Sequence, residues 1–190
     1  MDKAKLISIV LSPHLFSVFI AYLYWKELLC LGGIIQLIAM IFFVSVLPFI
    51  FILIDRLRGK IDIFVTKRKD RPKYYLLTLL SYQLGSLFSL ITRTQPYILF
   101  YICYTAVGIS LLIFNNLTKI SVHAAGIAGP TTMMWFLFNS HYYILYLLLI
   151  PVAWSRIKLN AHTFIQIISG TLVAPIVTLI SLMFFNSLGF

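Results

Sequence analysis

Acidic side chains are the scarcest functional groups in this chain, with five Asp and Glu among 190 residues. Charged residues of both signs make up 11% of the sequence, whereas soluble domains carry about 25%. A chain with so few charges and 61% hydrophobic residues cannot keep its apolar surface away from water. The composition therefore excludes a soluble globular protein and predicts a single integral membrane domain over residues 1–190.

Cysteine and metal-ligand clusters are also lacking. Cys30 and Cys103 both lie inside apolar runs, where cysteine is typical of core packing rather than of a disulfide or a metal pair. The carboxylates are scattered along the chain, and no Cys or His pair has the spacing of metal ligands. We therefore expect neither a metal ion nor another cofactor. The five acidic residues are Asp2, Glu27, Asp55, Asp62 and Asp70.

Long apolar runs account for most of the chain. A membrane-spanning helix needs about 20 apolar residues, within a range of about 17–25. The runs predict an all-α polytopic bundle of six to seven membrane helices, in which 141–154 is short and 28–54 is kinked at Pro48. The seven runs are roughly 6–25, 28–54, 74–92, 97–114, 120–138, 141–154 and 161–187.

Positive charge is concentrated on one face of the predicted bundle. With seven crossings, thirteen of the 15 Lys and Arg residues share a face with the N-terminus, and only Lys26 and Arg93 lie opposite. The positive-inside rule favours a cytoplasmic position for the richer face of a multi-pass protein in the cell membrane. The sequence leaves open which side of the membrane this face occupies. Such an excess favours anionic headgroups, so we expect no nucleic-acid partner. The basic loop at 66–73 has an alternative interpretation as an orientation signal alone.

Two histidines lie at the ends of apolar runs beside residues that suit phosphate. Ser121 and His123 stand at the start of a predicted helix, whose backbone N–H groups and positive dipole end favour an anion. Arg156 comes six residues before His162, and its planar guanidinium matches phosphate oxygens. An even number of crossings separates each histidine from the basic loop 66–73. Both histidines and their neighbouring residues are therefore expected on the same face as that loop. The sequence thus predicts a phosphate site at the membrane edge.

These segments resemble the motifs of the type 2 phosphatidic acid phosphatase superfamily, which includes membrane lipid phosphatases and soluble acid phosphatases. The resemblance covers about residues 60–170 and implies a phosphatase-type core. The separations also fit, with 52 residues from Arg71 to His123 and 33 from His123 to Arg156. The three motif segments are R-K-D-R-P (68–72), S-V-H (121–123) and S-R-I-K-L-N-A-H (155–162).

The first motif departs from the family pattern. Phe64 stands where the family has a Lys, seven residues before Arg71. Lys67 and Arg68 lie about one turn from Arg71, and Lys119 lies two residues before the second motif. Any one of these three cations could supply the missing charge, and the sequence leaves the choice among them open.

The second and third motifs each differ from the family at one position. Val122 replaces the middle glycine of Ser-Gly-His, which a helical backbone tolerates. Gln166 stands four residues after His162, where the family usually has Asp. A glutamine carbonyl can orient the imidazole, but it lacks the charge that favours the cationic ring. Both reduced activity and a chain without activity therefore remain open.

The resemblance implies a mechanism that needs no metal. His162 would attack phosphorus and form a phosphohistidine. His123 would protonate the leaving lipid oxygen and then activate water. Arg156 and Arg71, with one of the spare cations, would hold the phosphate oxygens, and Ser121 would add a donor.

The substrate expected from the sequence is a phosphate whose tail stays in the bilayer, because the loops are short. The minimal loops favour a polyprenyl phosphate or diphosphate, hydrolysed by a phosphoric monoester or diphosphate hydrolase. Phosphatidic acid and phosphatidylglycerol phosphate are the alternatives. Two other classes stay open: a binder or transporter of anionic lipids, and a structural membrane protein without chemistry. Charges at the helix ends rather than at the bilayer midplane count against a transporter.

Overall fold

The computed structural model describes residues 2–63, 65–138 and 141–187, and Phe64 therefore lies outside the described residues. Most of this part of the chain is helical, without a strand, which confirms the all-α prediction. Its α-helices are α1 (Lys3–Val10), α2 (Pro13–Glu27), α3 (Gly33–Ile41), α4 (Leu47–Leu57), α5 (Arg71–Ile91), α6 (Pro96–Asn115), α7 (Val122–Phe138), α8 (Leu149–Lys158) and α9 (Phe164–Ser187). A π-helical turn, Phe42–Val46, joins α3 to α4, and 3-10 segments at Arg68–Asp70 and His141–Leu148 precede α5 and α8.

Several helices are long and apolar enough to cross a membrane. The described residues contain four such stretches, or five if the bent pair α1 and α2 counts as one. This finding is compatible with the predicted membrane protein, whereas six to seven crossings are not confirmed. Two of the predicted runs form shorter helices, since α7 has 17 residues and α8 has 10. The four stretches are Gly33–Leu57, Arg68–Ile91, Pro96–Asn115 and Phe164–Phe185.

Prolines interrupt the regular α-helix in two of the apolar runs. The first run divides at Ser12, whose side chain caps α2, and Pro13 occupies the first position of the new helix. α1 and α2 consequently meet at 41°. In the second run Pro48 has no N–H to bond four residues back, and the preceding turn widens, with the Leu47 N–H reaching Phe42 O.

Exposed aliphatic faces and an aromatic-rich core separate the outside of the bundle from its inside. α5 exposes Leu76, Leu80 and Leu84 at helical spacing, and α9 exposes further large apolar side chains in the same way. Faces of this kind suit lipid rather than water. α7 is the most enclosed helix, buried along most of its length against α9, α2 and α6.

The chain returns repeatedly to one end of the bundle. α5, α7 and α9 begin at this end, whereas α6 and α8 finish there. The 3-10 segment His141–Leu148 and α8 together return the chain to this end, as the motif spacing requires. At the same end Asp55, near the end of α4, accepts hydrogen bonds from Lys73 and Tyr74 at the start of α5. These contacts fix the beginning of α5, where the first motif lies.

Candidate active site

In the third motif, Arg156 and His162 lie before and after the tight turn that follows α8. Arg156 lies in the last turn of α8. The N–H groups of Ala161 and His162 both donate to Arg156 O, at 3.0 and 3.4 Å. Asn160 permits this closure by adopting the left-handed conformation, with φ of 51°. The six-residue spacing therefore holds both side chains at the same end of the bundle, where both are buried.

His162 presents one ring nitrogen to two oxygen acceptors. Its Nδ1 lies 3.0 Å from Lys119 O and 3.3 Å from Gln166 Oε1. Gln166 Oε1 also accepts from the Thr163 N–H at 3.2 Å, which fits an oxygen at that position. Because both acceptors need a donor, Nδ1 carries the proton and Nε2 carries the lone pair of the neutral ring.

Burial and positive charge keep this imidazole neutral. Burial, followed by the charges of Arg71, Arg156 and Lys119, lowers the pKa of His162 to about 4, against a smaller opposite effect of the bond to Lys119 O. The ring is therefore neutral at pH 7, with its lone pair available. The same positive field favours a bound anion.

The second motif occupies the start of α7. Ser121 Oγ accepts from the Ala124 N–H at 3.3 Å and so caps the helix, while the Ser121 N–H donates to Gln166 O at 3.1 Å. Ser121 is fully buried and does not line the cavity described below, so its oxygen serves the helix end. Val122 is the first helical residue, and His123 follows it into the interior.

His123 meets the N-terminal helix. Its Nε2 lies 3.1 Å from Ser8 O and 3.4 Å from Ser8 Oγ, and Ser8 belongs to α1. A carbonyl oxygen can only accept, so this bond places a proton on Nε2. Arg156 NH1 donates to the same Ser8 Oγ at 2.6 Å. The structure thus brings His123 and Arg156 to a common partner.

The first motif contributes Arg71, the residue at which α5 begins. Pro72 follows it in the first turn, where the missing N–H has no cost. Arg71 Nε donates to Val65 O at 3.0 Å, and NH1 donates to Ile120 O at 3.3 Å. The second bond holds the guanidinium next to the start of α7, where it is buried.

The spare cations are less closely associated with the site. Lys67 and Arg68 are exposed, and Arg68 Nε donates to Asn115 O. Lys119 is half-buried and supplies its backbone carbonyl to His162. Burial and then the charges of Arg71 and Arg156 lower the pKa of Lys119, which places its ammonium within their field. Of the three candidates, Lys119 lies nearest to the buried residues.

A large cavity connects the four buried motif residues with the interior of the bundle. Its volume is about 700 Å³, within the range of ligand pockets. Arg71, His123, Arg156 and His162 line it, and most of its remaining wall is apolar.

The cavity extends well beyond the motif residues. Its wall follows α5 from Arg71 to Tyr82 and α7 from Val122 to Met133. At 1.5 Å per residue each stretch is about 16 Å long, roughly half of the hydrocarbon core of a bilayer. A charged end followed by an apolar tunnel suits an amphipathic ligand.

Two residues of this region have no counterpart in the motifs. Ser8 is a single serine in an apolar stretch. The residues around it in the sequence give no indication that it contacts His123, 115 residues away. Gly170 lies eight residues after His162, and a Cβ there would lie 2.5 Å from Ser121 O. A lone glycine inside an apolar helix is a signal of close approach, which here allows α9 to pack on the start of α7.

Comparisons with known proteins add no relative. No protein-family model, curated protein sequence or solved structure matches the chain. Within the described residues no group of three or more His, Cys, Asp or Glu side chains is placed to hold a metal ion. The site is therefore interpreted from its own geometry.

Proposed function

We propose that this protein is a lipid phosphate phosphatase that acts through a phosphohistidine on His162. The observation that carries the proposal is the Nδ1 position of His162, between Lys119 O and Gln166 Oε1. This arrangement leaves Nε2 as the nucleophilic nitrogen of a neutral ring. Gln166 acts as an orienting residue without charge, and the backbone carbonyl shares that role.

The proposed reaction has two steps. The Nε2 lone pair of His162 attacks phosphorus, and the bond from phosphorus to the lipid oxygen breaks. His123, in the cationic form that the bound phosphate charge favours, gives its second proton to that oxygen. Water then transfers a proton to His123 and attacks phosphorus, which releases inorganic phosphate and restores His162. Because Ser8 O already accepts the proton on Nε2 of His123, the transferred proton belongs to Nδ1.

Arginine charge supports the transition state in this scheme. Arg71 and Arg156 are both buried, line the cavity and act on His162 electrostatically. Charge on a phosphate oxygen gains more from such donors in a water-poor site than it would in bulk water. Lys119 adds a third positive charge nearby.

The cavity supports a substrate with a long apolar tail. A polyprenyl phosphate or diphosphate is the first substrate to test, because the wall beyond the charged end is mostly apolar. Phosphatidic acid and phosphatidylglycerol phosphate form the other arms of the same assay. We place the site on the cytoplasmic face of the cell membrane, since the Lys and Arg excess lies at that end.

Phosphate release by the purified protein in detergent, with EDTA and without added metal, tests the proposal. We expect release from at least one lipid, and a loss of more than about 10⁴-fold in His162→Ala, since nucleophile removal has effects of this order. His141→Ala is the matched control, because His141 is exposed at the opposite end. Folded wild-type protein that releases phosphate from none of the lipids would instead favour an anionic-lipid binder or transporter.

A further inference from the structure

The N-terminal helix contributes a buried hydroxyl to the region between the arginine and the histidine. Ser8 lies on α1 and is completely buried, although most of α1 is exposed. Its Oγ accepts from Arg156 NH1 at 2.6 Å, and its carbonyl oxygen lies 3.1 Å from His123 Nε2. One residue therefore contacts two side chains that come from α7 and α8.

The chemistry of these contacts gives Ser8 a specific task. Arg156 is positively charged, and His123 becomes positive whenever it holds a second proton, so the two repel at short range. The two oxygens of Ser8 lie against them and present partial negative charge to both. Hydrogen bonds to charged groups are also stronger than bonds between neutral groups. Ser8 consequently fixes the direction of the guanidinium and of the imidazole together.

Helix α1 is anchored well enough to hold this position. Asp2 accepts from the Ala4 N–H at 3.2 Å and caps the first turn. Ala4 is fully buried and lies one turn before Ser8, on the same side of the helix. α1 packs against α8, and the bend at Ser12 directs it there.

We infer that Ser8 is a positioning residue of the catalytic site, through which α1 sets the geometry of Arg156 and His123. The inference rests on the proposed phosphatase function. Ser8 touches no reacting atom in this scheme. It acts by keeping the phosphate-holding arginine and the proton-transferring histidine in one arrangement.

The variant Ser8→Ala tests this role, since it removes the hydroxyl and leaves the carbonyl in place. We expect kcat to fall about 10- to 100-fold, the equivalent of one hydrogen bond to a charged group. KM should change little, because the apolar tail still supplies most of the binding. Ser8→Thr retains the hydroxyl and should recover most of the rate.

A second buried serine provides the matched control. Ser81 is almost fully buried, donates to Phe43 O at 2.6 Å between helices, and does not line the cavity. Ser81→Ala therefore loses a comparable bond and should keep the wild-type kcat, with thermal unfolding followed for all variants. An unchanged kcat in Ser8→Ala, or an equal loss in Ser81→Ala, would overturn the inference.

Binding of inorganic phosphate separates this inference from the proposed function. Titration calorimetry on wild type and Ser8→Ala needs no turnover, and we expect about 10-fold weaker binding when Arg156 loses its hydrogen bond to the Ser8 hydroxyl. If no lipid is hydrolysed but this difference appears, the phosphatase proposal fails and Ser8 still positions an anion site. Equal affinities, or no phosphate binding by the wild type, would refute the role of Ser8.

Discussion

At the scale of single residues, Gln166 stands where the family that the sequence resembles usually has Asp, and its side chain lies beside His162. Its Oε1 lies 3.3 Å from His162 Nδ1, and Lys119 O lies closer, at 3.0 Å. Two neutral acceptors orient the ring, which is the task that a carboxylate performs in the family pattern. They do not raise the pKa of His162 as a charged partner would, and burial and nearby cations lower it to about 4.

A charge at position 166 should shift the pH dependence in a defined direction. In Gln166→Glu a carboxylate beside Nδ1 favours the cationic ring, which raises the pKa of His162 by about 1–3 units. As the pH falls, the neutral ring of His162 is then protonated at a higher pH than in the wild type. The acid limb of kcat/KM should therefore move to higher pH by a similar amount. The pH–rate profile of phosphate release by the purified protein measures this shift.

The control adds the same charge elsewhere. Gln95→Glu changes an exposed residue at the opposite end of the bundle and should leave the acid limb in place. An acid limb that does not move in Gln166→Glu would mean that His162 is not the group that titrates in kcat/KM.

At the scale of helices, the site depends on how closely α9 approaches the start of α7. The Ser121 N–H donates to Gln166 O, and Gly170 lies next to Ser121 O one turn further along α9. His162 and Gln166 are connected to the same helix start as His123. A shift of α9 would therefore change the distance between the two histidines.

Gly170→Ala should damage both stability and activity. Its Cβ would lie 2.5 Å from a backbone oxygen, which cannot rotate away as a side chain would. Overpacking of this kind costs about 1–3 kcal/mol. We expect a lower Tm and a lower kcat, measured by thermal unfolding and phosphate release.

The neighbouring residue gives the control for this change. Ser169 lies on the same helix and donates to Ile165 O within its own turn. Ser169→Ala should therefore resemble the wild type in both measurements. A Gly170→Ala protein with wild-type Tm and kcat would show that α9 can move without consequence for the site.

The helices themselves were largely predictable, whereas their interruptions were less so. Apolar runs predicted helices at positions close to α5, α6, α7 and α9, because burial in lipid requires the backbone to satisfy its own hydrogen bonds. Close to Pro48, where the sequence predicts a kink, the helix contains the π turn Phe42–Val46. The division of the first run at Ser12 was not predicted, since an apolar stretch alone does not reveal a change of direction.

At the scale of the whole molecule, the cavity connects the charged end with the interior and should select substrates by their tails. Thr78 lies on α5 along its wall, beyond the motif residues. Thr78→Trp would fill part of the tunnel and leave the charged end open. We expect hydrolysis of long-tailed lipid phosphates to fall about 10-fold or more, while a short water-soluble phosphomonoester keeps its rate.

Comparison of the two substrates on one variant controls for misfolding, since an unfolded site would lose both activities. Equal losses on long and short substrates would contradict a tail-binding role for the cavity. Ile109→Trp, on the exposed side of α6 and away from the cavity wall, is a surface substitution that should affect neither substrate.

The orientation of the bundle gives a further prediction. Lys158 is exposed at the site end, and Cys30 is exposed in the turn between α2 and α3 at the other end. If the site faces the cytoplasm, a membrane-impermeant maleimide applied to intact cells should label Cys30. It should not label Lys158→Cys in a Cys30→Ser background, and permeabilised cells provide the control. Labelling of the 158 position in intact cells would place the site outside.

The sequence by itself determined the class of protein, the approximate helices and the motif residues, because these depend on composition and on spacing along the chain. Only the tertiary structure decided which oxygens hold His162, that Lys119 lies nearer to the site than Lys67, and that Ser8 meets His123 and Arg156. Those contacts join residues up to 148 positions apart. Their distances follow from how helices bend and pack, and local patterns in the chain carry no information about such distances.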